Sequence, residues 1–329
     1  MTAPSTRDPR ALLRDCADHP SAFLAMNHGT RHHLGVRAPG VIAYRMRGRR
    51  AVQLGGPFAA PEHRGTLLDE FRDALPRPGR PLTVAQLRAD DVSLYEARGF
   101  TVNQFGSTYA IDLQCFTVRG KALAKIRQNT SRARREGVTV EEASVDSATT
   151  VMLDAIDMAW LRDKGRHVKK LDFLVGERGG AGERYRRTFL ARHHGKVVAY
   201  LTYSPAYGRR PGWLYDLTRR APDAPVGTVE LLNLTALLRF QDEGAPWLHL
   251  GLTPLAGLDP RHEPSSSSRV LNSAITTLAK RGQALYPART QEAFKLKWAP
   301  HVIEPEYLAF EGGASVPSVW NLLRITRAV

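Results

Sequence analysis

Cysteine is scarce in this 329-residue chain: Cys16 and Cys115 are the only two. That excludes a disulfide framework and a cysteine-based metal cluster, and it suits free thiols in a reducing compartment. No apolar run approaches the roughly 20 residues that a membrane-crossing helix needs. The opening Met-Thr-Ala-Pro-Ser-Thr-Arg-Asp-Pro lacks the apolar core of a secretory leader. These absences predict a soluble, cytoplasmic protein with at most peripheral membrane contact. Acids are also short, with 32 Asp and Glu against 47 Lys and Arg, a formal net charge of +15. Such an excess favours nucleic acid, anionic lipid or phosphorylated ligands as partners and says little about fold. His32–His33 and His193–His194 sit in polar, turn-like stretches without acids or cysteines beside them. No metal site or cofactor is therefore expected. No Ser-His-Asp order or nucleophile elbow stands out.

The excess charge is concentrated in one stretch, Arg119 to Gly137. Seven cations (Arg119, Lys121, Lys125, Arg127, Arg132, Arg134, Arg135) face one acid, Glu136, before Gly137 offers a helix stop. At helical spacing Leu123, Ile126, Thr130 and Ala133 form a narrow packing seam. Lys121, Lys125, Gln128, Arg132 and Arg135 run down a neighbouring face. A helix that is merely solvated interleaves both signs of charge, so the lack of acids points to a polyanion.

Hydrophobic residues make up 43% of the chain, enough for a core, and the length suggests two domains of roughly 150 residues. The first half reads as helix (Pro9 to Asp18), a short helix (Ala22 to Met26) capped from His19-Pro-Ser21, and strands at 41–46 and 51–54. A helix from Gly65 to Leu75, a buried strand at 82–85, a short helix from Leu94 and a last strand near 109–113 complete it. The second half repeats the order. It has a helix from Val145 to Leu161 with acids in its first turns, and strands at 188–190, 197–203 and 212–217. A polar loop from Thr218 to Val226, a helix from Thr228 to Gln241 and a strand at 247–251 follow. Gly65-Thr66 and Gly227-Thr228 open the two central helices. The pattern is mixed α/β, and an internal duplication is plausible.

Tyr95-Glu-Ala-Arg-Gly-Phe100 resembles the closing signature of acetyltransferase-like (GNAT) folds. Longer stretches follow in order: Leu54 to Pro57, Leu94 to Gly106, Phe116 to Lys121 and the basic helix to Gly137. Then come Tyr215 to Arg219, Asp223 to Gly227, Leu248 to Leu255, Phe294 to Trp298 and Pro305 to Leu308. Together they resemble the soluble catalytic domain of the phosphatidylglycerol lysyltransferases and alanyltransferases, the multiple peptide resistance factor family, over about residues 20 to 310. The resemblance implies two tandem GNAT-like domains, 1–117 and a catalytic 138–329, joined by the basic helix 118–137. It implies aminoacyl-tRNA as donor and a lipid head group or, as in soluble relatives from natural-product pathways, a small molecule as acceptor.

An aminoacyl-tRNA is an activated ester, so transfer needs no ATP, metal or redox cofactor. It needs a hold on the RNA, recognition of the ammonium group, help for the acceptor nucleophile and stabilisation of the oxyanion. Lys121, Lys125, Arg127, Arg132, Arg134 and Arg135, with Lys297, can contact phosphates without reading sequence. Asp216 and Arg219 match the family's Asp-x-x-Arg pattern at the end of a strand, and a structural ion pair is the plainer reading of them. The expectation is that Asp216 enters a cleft near Lys295, is kept ionised by Arg219, and holds the aminoacyl ammonium without contributing to stability. Glu230 stands where relatives carry Asp, or serves simply as an acid at a helix start. Lys295 is a candidate for stabilising the oxyanion or the terminal ribose-phosphate, or lies on a plain amphipathic edge. Pro260 to Ser268 reads as a mobile polar loop.

Two other functions compete. An acyl-CoA N-acyltransferase needs backbone amides around pyrophosphate, yet Pro222 and Pro225 supply none and Asp223 repels it. A non-catalytic RNA- or membrane-surface-binding module explains the charge but leaves Asp216 and Arg219 idle.

Overall fold

The computed structural model describes residues 8–75, 81–144, 146–164, 171–281 and 288–328. The first half runs α1 (Pro9–Cys16), a 3-10 turn (Ala22–Met26), β1 (Arg31–Leu34), β2 (Gly40–Arg47), β3 (Arg50–Ala59), α2 (Pro61–Ala74), β4 (Leu82–Arg88), α3 (Ala89–Glu96) and β5 (Phe100–Asp112). The basic helix α4 (Ala124–Arg135) leads to β6 (Val138–Ala143), α5 (Ser147–Lys164), β7 (Arg187–His193), β8 (Lys196–Ala206) and β9 (Gly212–Arg220). Then follow α6 (Thr228–Asp242), β10 (Trp247–Pro254), α7 (Arg269–Arg281), α8 (Ala288–Leu296), β11 (Val302–Glu311) and α9 (Val316–Ile325).

Among the described residues eleven strands form one sheet in the order β1-β2-β3-β4-β11-β5-β10-β9-β8-β7-β6. In the first half β2 and β3 are antiparallel, and α2 crosses over so that β4 lies parallel to β3. In the second half β8 and β9 are antiparallel, and α6 crosses over so that β10 lies parallel to β9. The order is nearly palindromic about the antiparallel β11–β5 pair. Each half's last strand pairs with the other half's crossover strand: β5 with β10, and β11 with β4. The two receiving strands share a further mark. The register of each slips by one residue, at Gln86 in β4 and near Gly251 in β10, and both residues have positive φ (60° and 74°). The duplication is thus written in strand order and bulges. It is not written in the Gly-Thr pairs, since Gly65 lies inside α2 whereas Gly227 precedes α6. Chain order 1–117, 118–137, 138–329 also differs from spatial order, because β11 from the carboxyl-terminal part sits among first-half strands.

Alternation of side chains across the sheet covers both faces. Phe189 and Ala191 join the core under α4 and α6, while Leu190 between them packs with Leu153 and Ile156 of α5. In the first half one face packs on α2 and Tyr95, the other on α1, the 3-10 turn and α9. The remaining differences from the sequence reading are local. Ser21 makes no cap bond and the short helix is 3-10. Asp146 stands before α5 and accepts the Thr149 N–H at 2.7 Å, so the first turn itself holds no acid, and Val145 lies outside the described residues. Strand β9 runs on to Arg220, shortening the expected loop. The 260–268 loop is tied down: Ser265 and Ser266 bond Glu96, and Ser268 N–H bonds Asn103, at 3.0–3.1 Å.

The basic helix packs as its narrow seam predicts. Ile126, Thr130 and Ala133 are buried, together with Asn129, and Gly137 takes φ 84° at the stop. It lies on α6 through Gly227, whose φ is 90° and whose hydrogen faces Asn129; a Cβ there would overlap the Asn129 carbonyl oxygen. Only glycine tolerates both the dihedral and the approach. Gly227→Ala is expected to cost about 2 kcal/mol or more, read as a lower urea midpoint at unchanged m-value, whereas Gly244→Ala, φ 79° in open space, is expected to cost clearly less.

Candidate functional site

The exchanged strands meet beside the β10 bulge, and α8 lays one side chain across it. Lys295 is 9% exposed and its Nζ donates to the carbonyls of Gly251 at 2.7 Å and Leu252 at 2.9 Å. It also lies 5.5 Å from the Tyr109 ring centroid. The bulge supplies these acceptors, since slipped register frees carbonyls from the ladder. Burial drives the Lys295 ammonium down to about 7, against the pull of Glu306 toward the charged form. Glu306, on β11, is 1% exposed, and neither of its oxygens has a well-formed hydrogen bond, although the Thr108 hydroxyl favours the charged form slightly. Burial pushes its carboxyl up to about 7, opposed first by Lys295 and then by Arg88. Sequence reasoning did not single out Glu306. It lies within the resemblance stretch Pro305 to Leu308 and in a strand run that also carries Glu304, but its depth depends on a pairing with β4 that no local pattern reveals.

A second cluster joins this end of α8 to the basic helix. Glu230, in the first turn of α6, accepts from Asn129 Nδ2 at 2.8 Å and lies 3.5 Å from Lys297 Nζ. Helix start and ion pair therefore both act on Glu230. Lys295 and Lys297 diverge, one into the seam and the other toward α4. Lys121, just before α4, and Lys125, Arg132, Arg134 and Arg135 on it are exposed. Arg132 pairs with Glu136 at 2.7 Å, and Lys125 reaches Gln128 at 3.2 Å. Arg127 instead donates to the carbonyls of Val118 and Gly120 at 2.8 and 2.6 Å, bracing the approach to the helix.

Asp216 and Arg219 do not meet as expected. The Asp216 side chain is 1% exposed and pairs with Arg186, 0% exposed, at 3.3 Å, while Ser204 donates its hydroxyl to the same carboxylate. Gly176 packs directly against the carboxylate, leaving no room for a side chain there. Arg186 also donates to Asn27 Oδ1 at 2.9 Å, which ties this pair to the first half. Burial raises the Asp216 carboxyl above its ordinary range, and Arg186 pulls it back. Arg219 lies over Trp160, 4.1 Å from the ring centroid, and 3.9 Å from Asp157. The register slip between Thr202 and Tyr203 leaves Asp216 unpaired in β9, and three residues of extended strand carry Arg219 about 10 Å further along it, to the side chains of α5. Asp216 is thus met by Arg186 rather than by the expected Arg219. A small cleft is likewise charge-balanced, with Arg88 and Arg210 both on Glu304 at 3.3 and 2.7 Å and Arg88 also on Asp18 at 3.5 Å.

Among the described residues Asp216→Asn leaves the buried Arg186 with only Glu183, 4.0 Å away, as an acid partner. It is expected to destabilise the fold by about 3–5 kcal/mol, visible as a lowered melting temperature. Arg219→Lys, which keeps the positive charge in a looser, partly solvated pair, is expected to shift melting less.

Comparison with known proteins places this geometry. The family model for phosphatidylglycerol lysyltransferase, C-terminal, matches residues 10–310. A phosphatidylglycerol lysyltransferase from Bacillus subtilis is 26% identical over 272 residues, 82% of this chain and 30% of that protein. The lysylphosphatidylglycerol biosynthesis bifunctional protein LysX of Rhodococcus jostii is 25% identical over 67% of this chain and 20% of its own length. This chain therefore spans less than a third of these two relatives. Among solved structures, L-PGS from Bacillus licheniformis superposes with a TM-score of 0.76 at 23% identity, covering 98% of this chain and 97% of that one. The C-terminal domain of a lysylphosphatidylglycerol synthetase from Agrobacterium fabrum gives 0.77 at 21%, covering 98% and 96%. These neighbours bear out the tandem GNAT-like mixed sheet. With a family model that spans nearly all of its residues, the chain belongs to the phosphatidylglycerol lysyltransferase C-terminal family.

Proposed function

We propose that this chain is an aminoacyltransferase that moves an aminoacyl group from a charged tRNA, in the cytoplasm, to a hydroxyl of a phosphatidylglycerol-like head group. The observation that carries the reading is the joint between α4 and α8. An exposed, acid-poor basic helix is fastened through Asn129 and Glu230 to Lys297, two residues from a buried amine of lowered pKa. One end of that joint suits a polyanion, the other suits proton transfer.

The chemistry follows from the Lys295 contacts. A neutral amine has two N–H bonds and one lone pair. Both N–H groups are engaged by Gly251 and Leu252, so in the neutral form the lone pair is left to accept a proton. As the acceptor oxygen bonds to the ester carbonyl carbon, its proton passes to Lys295. The bond from that carbon to the ribose oxygen then breaks, and the proton returns to the leaving oxygen. No ATP or acetyl-CoA enters. The acceptor class comes from the names of the relatives, and a small-molecule hydroxyl would undergo the same steps. Among the described residues no helix is long and apolar enough to cross a membrane.

With charged total tRNA and phosphatidylglycerol vesicles, labelled amino acid is expected to move into the lipid fraction, and ribonuclease is expected to abolish it. Lys295→Met is expected to lower the rate by roughly 10²-fold or more while sparing tRNA binding. Transfer from acetyl-CoA that survives ribonuclease would overturn this reading. Binding of tRNA is expected to weaken steeply with salt. Reversing Lys125, Arg134 and Arg135 to Glu is expected to reduce the log–log slope by about one per lost phosphate contact. Arg127→Glu is expected to lower stability as well, through its two backbone carbonyls.

A further inference from the structure

Glu306 is the least satisfied acid near the seam: fully buried, with no well-formed hydrogen bond at either oxygen. A fixed negative charge in that position is unfavourable, and such a group takes up or shares a proton instead. Arg88 is within electrostatic reach but is committed to Asp18 at 3.5 Å and Glu304 at 3.3 Å. Lys295 is the other cation that acts on it. The β5 strand lies between β11, which carries Glu306, and β10, whose carbonyls hold Lys295, and neither Glu306 oxygen is hydrogen-bonded to the amine. Thr108 is the register partner of Leu252, whose carbonyl holds Lys295, on one side and of Glu304 on the other. Two residues along, Glu306 lies opposite Gly106, where a Cβ would overlap the Thr253 carbonyl oxygen. Glycine there keeps the space between the strands free of a side chain.

We propose that Lys295 and Glu306 act as one acid–base unit that holds a single proton at neutral pH, with Glu306 the positioning residue that sets the protonation of Lys295. The proton sits either on the amine, leaving a carboxylate, or on the carboxyl, leaving an amine. Passing between these states moves one proton and no net charge. The second state is the one with a free lone pair on Lys295, and the unit ends each transfer as it began. Its use rests on the aminoacyl-transfer reading; its existence does not. The groups facing Glu306 are Lys295, Arg88, Glu304 and Thr108. Those facing Lys295 are Glu306 and Tyr109, whose hydroxyl donates to Glu292 at 3.3 Å.

The test is a titration of the whole chain labelled with ε-13C lysine, the Lys295 signal being assigned by its loss in Lys295→Met. Its midpoint is expected near 7 and is expected to fall by about one pH unit or more in Glu306→Gln, because the charge favouring the ammonium is gone. The acid limb of the transfer rate is expected to move down with it. In a δ-13C glutamate sample of Lys295→Met, the Glu306 midpoint is expected to rise by a similar amount, and this arm decides the matter if Glu306→Gln does not fold. A Lys295 midpoint near the free value of about 10.4, or one unmoved in folded Glu306→Gln, would overturn the proposal. Shifted midpoints without any transfer would leave the unit standing and sink the assigned reaction. Transfer with ordinary midpoints would do the reverse.

Discussion

The pairing of β5 with β11 is the constraint on which the rest depends. Each of these strands is donated by one half and received beside the crossover strand of the other. Antiparallel strands in the middle of a sheet satisfy backbone groups on both edges, so neither half can complete its sheet alone. The consequence reaches the chemistry. Lys295 is held by carbonyls of β10, and the acid that biases it arrives on β11. Disturbing the exchange would therefore disturb the site before it disturbed any exposed surface.

The two buried acids near the seam show how the same penalty is met in two ways. Asp216 and Glu306 both lie at 1% exposure or thereabouts, and burial raises both. Asp216 has a guanidinium at 3.3 Å and a serine hydroxyl, so its charge is spent on holding the halves together through Asn27. Glu306 has no such partner and is left to share. Environments that push similar groups apart separate a structural charge from a reactive one. Residue type alone does not.

Much of the architecture was legible in the sequence. The basic helix, its seam of Ile126, Thr130 and Ala133 and its stop at Gly137 follow from helical period and glycine's freedom, both local properties. The repeated element order pointed to a duplication. The exchange of last strands stayed hidden because pairing partners far apart in sequence leave no local signature, and β11 lies over 190 residues from β5. The same limit explains the site. Asp216 and Arg219 are near in sequence but spread along an extended strand, where each meets a different partner, Arg186 and Asp157. Arg186 and Glu306, the residues that decide the electrostatics, sit on segments that only the folded sheet brings near. Lys295 was identifiable through a family resemblance, but its lowered pKa required knowing how deeply the fold buries it.

Position of charge, rather than amount, then distinguishes the parts of this molecule. The +15 excess would by itself attract any polyanion, with an affinity that salt removes. On α4 the cations are exposed and largely free of acids, so they remain available to a diffusing partner. At the small cleft Arg88 and Arg210 share Glu304, so similar cations there give rigidity. In the seam one ammonium is buried deeply enough to give up its charge near neutrality. Rigidity and, in the proposed reaction, attraction and proton transfer thus come from the same two residue types, sorted by how much water the fold leaves around each. The joint at Asn129, Glu230 and Lys297 connects the first of these environments to the last, and a donor held by phosphate contacts on α4 would have its reactive end presented on the side of the sheet where Lys295 enters.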